Sequence, residues 1–388
     1  MSAARLDLAP ALLEDYIQRE ELVGAVLLVV RDGRVVLHTA HGARDREAAL
    51  PMERDTIFRI ASQTKAIVSV AVLKLQEEGK LLIGDPLGKY LPEFQETTVA
   101  VADGAGEPLI VPANRAITVR DLLTHSAGIG YGYGPAAAAW ADAGIQGWYF
   151  AHREEPIRET VRRMAALPMD AQPGDAFVYG YATDILGALI EVVSGESLDA
   201  YLKQALFDPI GMTDTHFYLP TAKRARLAVV YSAGKEGGAP QRAPEVSAMV
   251  GQGAYVEGPR VSFSGGAGLL STAMDYARFL RMLQNGGRID GVQILSPRTV
   301  ALMTVDHLGD IPFRPGEGFG LGVSTTLDLG ARGIPGSVGE YGWGGAYHTV
   351  YWVDPAERII VVYMTQLLPA EGIDETRKLR AIIYGAIR

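Results

Sequence analysis

The sequence predicts an α+β fold: an antiparallel sheet flanked by helices, with a mainly helical domain inserted into it. Three observations lead there. Stretches that read as β-strands gather near the two ends of the chain, at 25–41 and 320–365. Stretches with helical period fill the middle. Between them lies a run, Ala66 to Leu75, in which almost every residue is apolar and which Gly79 closes. A helix apolar on most sides must be buried on most sides, so this one belongs between the sheet and the other helices. The simplest arrangement of such segments is a sheet assembled from both ends, 1–84 with 264–388, and an inserted domain over 85–263.

Taken in order, 8–20 places Leu8, Leu12, Leu13, Tyr16 and Ile17 on one face of an amphipathic helix. Two Val/Leu-rich runs, Ala25 to Arg31 and Arg34 to His41, flank Asp32-Gly33, a dipeptide suited to a tight hairpin. Phe58 and Arg59 lead into Ser62 and the apolar helix, with Ser62 as its expected N-cap. Asp85-Pro86 opens a turn region, and Val99 to Ala113 reads as a small hairpin. Ile117 to His125 reads as a short helix with Thr118 as N-cap and Asp121 three residues on, a capping box. A glycine-alternating loop, Gly128 to Gly134, follows; it has neither G-x-G-x-x-G nor a Walker lysine, so a phosphate cradle is not expected. Residues 136–170 read as Ala-rich helix, and Ile185, Leu186, Leu189, Ile190 and Val193 mark another that stops at Gly195. A further helix begins near Leu198, 219–262 is irregular, and Tyr276 to Leu283 is helical. The tail reads as strands over 320–327, 339–345, 347–353 and 358–365, then a helix from about Asp374.

Composition bounds the chemistry. The chain has 388 residues, 48% of them hydrophobic, so it can bury a sizeable core. A net charge of −9 without a basic patch argues against a nucleic-acid partner. No cysteine is present, which removes disulfides and thiolate-bound metals. The seven histidines are scattered and no H-E-x-x-H occurs, so neither a metal nor a cofactor is expected. No apolar run suggests a membrane span, and the first thirty residues carry Glu14, Asp15, Glu20 and Glu21 and no signal-type core, so the expectation is a cytoplasmic protein. Oligomeric state is left open.

Ser62 and Lys65 carry the reactive chemistry. Three residues apart at a helix start, they share a face, and a serine beside an amine is an activated nucleophile. The pattern is short: a second copy, Ser232-Ala233-Gly234-Lys235, sits in a loop-like stretch, and a capping serine beside a solvated lysine is the competing reading of the first. No G-x-S-x-G occurs, so the strand-to-helix nucleophile elbow is not available.

Four stretches together resemble the penicillin-recognising serine acyl-enzyme superfamily, most closely family VIII carboxylesterases and their class C β-lactamase relatives. They are Ser62-x-x-Lys65, the Leu-Leu-Thr-His-Ser-Ala-Gly run at 122–128, Pro173-Gly174 with Tyr179-Gly180-Tyr181, and Trp343-Gly344-Gly345. The resemblance spans most of the chain and implies a β-lactamase/DD-peptidase-like fold. It implies Ser62 as nucleophile, Lys65 as its partner and Tyr179 as general base and acid. It implies an oxyanion hole from the backbone N–H groups of Ser62 and Ala346. Two departures stand out: Tyr181 replaces the asparagine of Tyr-x-Asn, and Trp343-Gly344-Gly345 replaces Lys-Thr-Gly. A cation that would pair with an antibiotic carboxylate is thereby missing, and the implied substrate is a small, neutral, apolar ester of short to medium chain. Tyr131, Tyr133, Tyr181, Trp343, Gly344 and Gly345 are the expected substrate-binding residues. The competing functions are β-lactamase, DD-peptidase or acyltransferase on the same site, or a catalytically inactive binding protein. The presence of Ser62, Lys65 and Tyr179 together argues against the last.

Overall fold

Asp32 and Gly33 both take positive φ, 53° and 72°, the conformation a type I′ hairpin turn requires. They join β1 (Gly24–Arg31) to β2 (Arg34–Asp45), with Arg31 opposite Arg34. In this computed structural model all residues are described except 102–105, 107, 235–237, 246–248 and 371. A short β3 (Leu50–Pro51) pairs with β2. Five strands from the other end complete the sheet: β4 (Glu317–Phe319), β5 (Ser324–Thr326), β6 (Tyr341–Gly345), β7 (Thr349–Asp354) and β8 (Ile359–Thr365). The order is β4-β5-β6-β7-β8-β1-β2-β3, antiparallel throughout. β1 and β8 pair over seven residues, Ala25 with Thr365 to Arg31 with Ile359.

Strand alternation sends side chains to both faces. Val26, Leu28, Val30, Ile360, Val362 and Met364 enter the larger core, while Ala25, Leu27, Val29, Ile359, Val361 and Tyr363 enter a second one. The second core is closed by α1 (Leu8–Gln18), through Leu13 and Tyr16, and by a helix near the end of the chain, Glu375–Gly385, through Leu379 and Ile383. The larger core takes in α2 (Thr64–Glu77), in which every residue from Thr64 to Leu73 is buried. It also takes in α3 (Val119–Leu123), α4 (Ala182–Ser194), which Gly195 ends at φ 79°, and α5 (Ala273–Gln284). With helices on both faces, neither face of β1 meets water, which explains its unbroken apolar sequence. The closing helix Glu375–Gly385 is α6.

Two expectations change. The stretch 320–327 is not one strand: Gly322, at φ 88°, turns the chain between β4 and β5. The stretch 136–170 holds two short helices, Ala137–Asp142 and Ile157–Met164, separated by Gly144 and Gly147 at positive φ and by Pro156. The predicted capping box is present, with Asp121 N donating to Thr118 Oγ1 and Thr118 N to Asp121 Oδ2. In the second Ser-x-x-Lys copy, the Ser232 hydroxyl donates to the Leu368 carbonyl at 2.7 Å; Lys235 lies outside the described residues. Among the described residues, no helix is long and apolar enough to cross a membrane.

Candidate active site

Ser62 is not a capping serine. It sits in a single 3₁₀ turn, Ala61–Gln63, that precedes α2, and its hydroxyl makes no cap bond. The turn is held from outside. Phe58 and Arg59 pair with Leu270 and Ser271, and Ile60 N donates to the Leu269 carbonyl at 3.1 Å. Ala61 takes φ 41°, an uncommon value for a residue with a Cβ, so the surroundings fix the turn against its local preference. Gly345 of β6 lies directly against it: a Cβ there would collide with the Ile60 carbonyl oxygen and the Thr349 hydroxyl. That close approach is why a glycine stands at 345. It brings the end of β6, and with it Ala346, beside Ser62, and both residues line one cleft.

Lys65 begins α2 one turn further on and is 1% exposed. Its Nζ lies 3.4 Å from Ser62 Oγ, 3.1 Å from the Tyr131 hydroxyl and 2.8 Å from the Gly266 carbonyl. Gly266 is itself held by Asp184 of α4, whose Oδ1 accepts from Gly266 N at 3.1 Å and from Ser264 Oγ at 2.6 Å. Burial alone would push the Lys65 pKa down. The oxygens of Tyr131, Tyr179 and Asp184 outweigh it, and the ammonium is held above its ordinary range. Burial pushes the Asp184 carboxyl up, against the pull of Ser264 and Lys65. The Tyr131 phenol is also raised by burial, with Lys65 opposing.

The Tyr179 ring faces the same ammonium, 4.6 Å from Nζ to the ring centre. Its hydroxyl accepts a hydrogen bond from Trp343 Nε1 at 2.9 Å. Behind it packs the His125 ring, 4.6 Å centre to centre. His125 takes φ 56°, a left-handed conformation in which histidine is among the more tolerated residues. Both of its ring nitrogens are buried without a hydrogen-bond partner among the described residues. Desolvation first, and the Lys65 charge second, hold it well below the usual histidine range, so it is neutral.

The cleft above these groups encloses about 580 Å³. Of the residues expected at the site, Ser62, Tyr131, Tyr179, Trp343, Gly344 and Ala346 line it. Three expected substrate contacts are elsewhere. Tyr181 is fully buried under the cleft, stacked on Trp140, and donates to the Gly147 carbonyl at 2.6 Å; as the first residue before α4 it must turn inward. Tyr133 is 58% exposed, with its hydroxyl toward Met249. Gly345, the last residue of β6, packs against the Ile60 carbonyl and the Thr349 hydroxyl. Tyr131, expected only to bind substrate, also hydrogen-bonds Lys65. His348 turns away from the cleft, with Nε2 2.6 Å from buried Glu375. The sequence reading missed Trp148, Phe177 and Arg314 on the wall, and the ionic cluster of Glu317, Arg332, Glu340 and Arg380 beside it. No local pattern marks those residues. A tryptophan replacing a lysine in the third motif was the one available signal for the Trp343–Tyr179 bond.

Comparison with known proteins gives the family. The Beta-lactamase family model matches residues 10–385. Protein Rv1367c of Mycobacterium tuberculosis is 36% identical over 374 residues, covering 91% of this chain and 88% of that protein. Esterase EstB of Burkholderia gladioli is 35% identical over 374 residues, covering 94% of this chain and 90% of EstB. Among solved structures, EstCE1, described as a hydrolase with promiscuous acyltransferase activity, superposes with a TM-score of 0.80 at 30% identity, covering 98% of this chain and 99% of the other. The chain belongs to the β-lactamase family.

Proposed function

We propose that this chain is a serine carboxylesterase of the family VIII type, hydrolysing short- to medium-chain esters through an acyl-enzyme on Ser62. The observation that carries the reading is that Ser62 and Lys65, at a buried helix start, meet the Tyr131 hydroxyl and the Tyr179 ring beside one cleft. The names of two relatives, one an esterase and one a hydrolase, support the ester chemistry.

In this mechanism Ser62 Oγ attacks the ester carbonyl carbon while its proton passes to the Tyr179 oxygen. The Tyr179 ring faces the Lys65 ammonium, and its oxygen accepts from the Trp343 N–H. The tetrahedral oxyanion is received by the N–H groups of Ser62 and Ala346. Collapse breaks the bond to the alcohol oxygen, which takes the proton from Tyr179 as it leaves. Water then repeats the sequence: it gives its proton to Tyr179, attacks the acyl carbon and releases the acid, and the proton returns to Ser62. Tyr131 holds Lys65 in place and is not in the proton path. Transfer of the acyl group to an alcohol instead of water is the second reading, favoured by the likeness to EstCE1. Trp343 at the position where the resemblance expects lysine weighs against β-lactams.

The test is intact-mass analysis after an aryl phosphonate, with turnover of p-nitrophenyl butyrate and of nitrocefin followed in parallel. We expect an adduct on Ser62, fast ester cleavage and little release from nitrocefin. Ser62→Ala is expected to lower ester hydrolysis by on the order of 10⁴-fold or more, with the melting temperature kept. Retained turnover would mean another nucleophile. An added alcohol that diverts product from acid to ester would establish the acyltransferase reading.

A further inference from the structure

The loss of a lysine from the third motif suggests a cleft with no cation for a charged substrate, but the wall of the cleft carries three arginines against two glutamates. Glu340 is committed through both oxygens, and Glu317 through one: its Oε2 makes no hydrogen bond among the described residues and faces Arg314. Glu340 accepts from Arg332 at 2.8 Å and from Arg380 at 2.7 and 2.8 Å, and Glu317 accepts from Arg332 at 2.7 Å. Arg314 is the remaining cation. It meets Glu317 only at 3.6 Å, beyond hydrogen-bond reach, and its side chain is 57% exposed.

Arg314 is nonetheless held in place. Its guanidinium lies 4.9 Å from the centre of the Trp343 ring and 4.9 Å from that of Phe313, and those two rings stack on each other. A guanidinium laid on aromatic faces keeps its edge N–H groups free, and they form a planar fork that matches a carboxylate. Trp343 touches Tyr179 on its other side, so the cation sits one indole away from the reacting groups. The chain as a whole carries −9, so a positive rim at this cleft is not a by-product of a basic surface.

We infer that Arg314 is a specificity-determining residue, which selects esters bearing a carboxylate on their acyl or alcohol part. The inference rests on the ester-hydrolase reading and replaces its neutral substrate with an anionic one. A carboxylate entering the cleft forms charge-assisted hydrogen bonds to the Arg314 fork while the ester carbonyl lies over Ser62.

Matched ester pairs test it in wild type and Arg314→Gln. On the acyl side the pair is p-nitrophenyl hemiglutarate against p-nitrophenyl butyrate. On the alcohol side it is 4-butyryloxybenzoate against phenyl butyrate. The readout is the ratio of kcat/KM, anionic over neutral. On one of the two arms Arg314→Gln is expected to lower that ratio about 10- to 100-fold, mostly through KM, as for loss of a hydrogen bond to a charged group. The wild-type ratio on that arm should also fall as salt is raised. Unchanged ratios on both arms, including equal losses on charged and neutral esters, would overturn the inference and leave Arg314 as a clamp on Trp343. Calorimetric binding of N-benzylglutaramate against N-benzylbutyramide needs no turnover. If it shows an Arg314-dependent preference for the acid while no ester is cleaved, the hydrolase reading fails and the anion site stands. If esters are cleaved without any charge preference, the reverse holds.

Discussion

Lys65 and Arg380 are both buried cations beside the same cleft, and they are partnered differently. Arg380 meets both carboxylate oxygens of Glu340, which also binds Arg332 and the Tyr384 hydroxyl, so each charge is answered within hydrogen-bond distance. Lys65 meets a serine, a tyrosine and a backbone carbonyl, and the nearby carboxyl, Asp184, reaches it only through Gly266. A cation closed off by a carboxylate is fixed, because separating the pair leaves a buried charge uncompensated. A cation facing hydroxyls can favour whichever of them loses its proton. The first arrangement builds structure; the second is available for chemistry.

The sharpest way to break this contrast is Tyr179→Phe. It removes the oxygen that accepts the Trp343 N–H and that takes the serine proton in the proposed mechanism, and kcat is expected to fall about 10²- to 10⁴-fold with little change in stability. Near-normal turnover would move the proton acceptor to Tyr131 or Lys65. Glu340→Gln should do the opposite. It takes the carboxylate from Arg380 and leaves Arg332 with Glu317, and chemical denaturation should show a loss of about 3–5 kcal/mol. A stable Glu340→Gln protein with lost activity would erase the distinction between the two clusters. Tyr131→Phe removes one neutral partner of Lys65, and a loss of about tenfold in kcat is expected, well short of Tyr179→Phe. A larger loss than that of Tyr179→Phe would exchange the two tyrosine roles.

The smallest expected effect reports on the Lys65 charge from behind. Folded His125 is held neutral, whereas in the unfolded chain it takes up a proton below about pH 6.5. Its folded pKa is depressed, so stability is lost as pH falls below that value. In His125→Asn, which tolerates the left-handed backbone, the decline in unfolding free energy should be shallower by up to about 1.4 kcal/mol per pH unit. An unchanged slope would mean that folded His125 takes up the proton as readily as the unfolded chain does.

What the sequence made legible was local. Asp32-Gly33 names its own turn, Thr118 and Asp121 their own cap, and the apolar run after Lys65 its own burial, because each depends on neighbours a few residues away. The tyrosines show where this ends. Tyr131, Tyr133 and Tyr181 all sit among glycines, yet one binds the lysine, one faces solvent and one lies in the core. Only packing across the fold sorts them. Ser62 illustrates the same limit at short range: a cap and a 3₁₀ turn read alike until Gly345 and Leu269 arrive from distant strands. Arg314 was invisible because its role depends on Trp343, which the sequence does not place near it.

The pairing of β1 with β8 has a consequence for biosynthesis. β1 leaves the ribosome early, with a wholly apolar core from Ala25 to Val30 and one edge satisfied by β2. Its other edge stays open until Ile359–Thr365 has been made, which at about 5–20 residues per second is many seconds later. An open apolar edge is what chaperones bind and what aggregates when they are scarce. The same delay separates the turn at Ser62 from the strand end at Ala346 that completes the cleft. The nascent protein therefore carries Ser62 without an assembled cleft until the sheet closes.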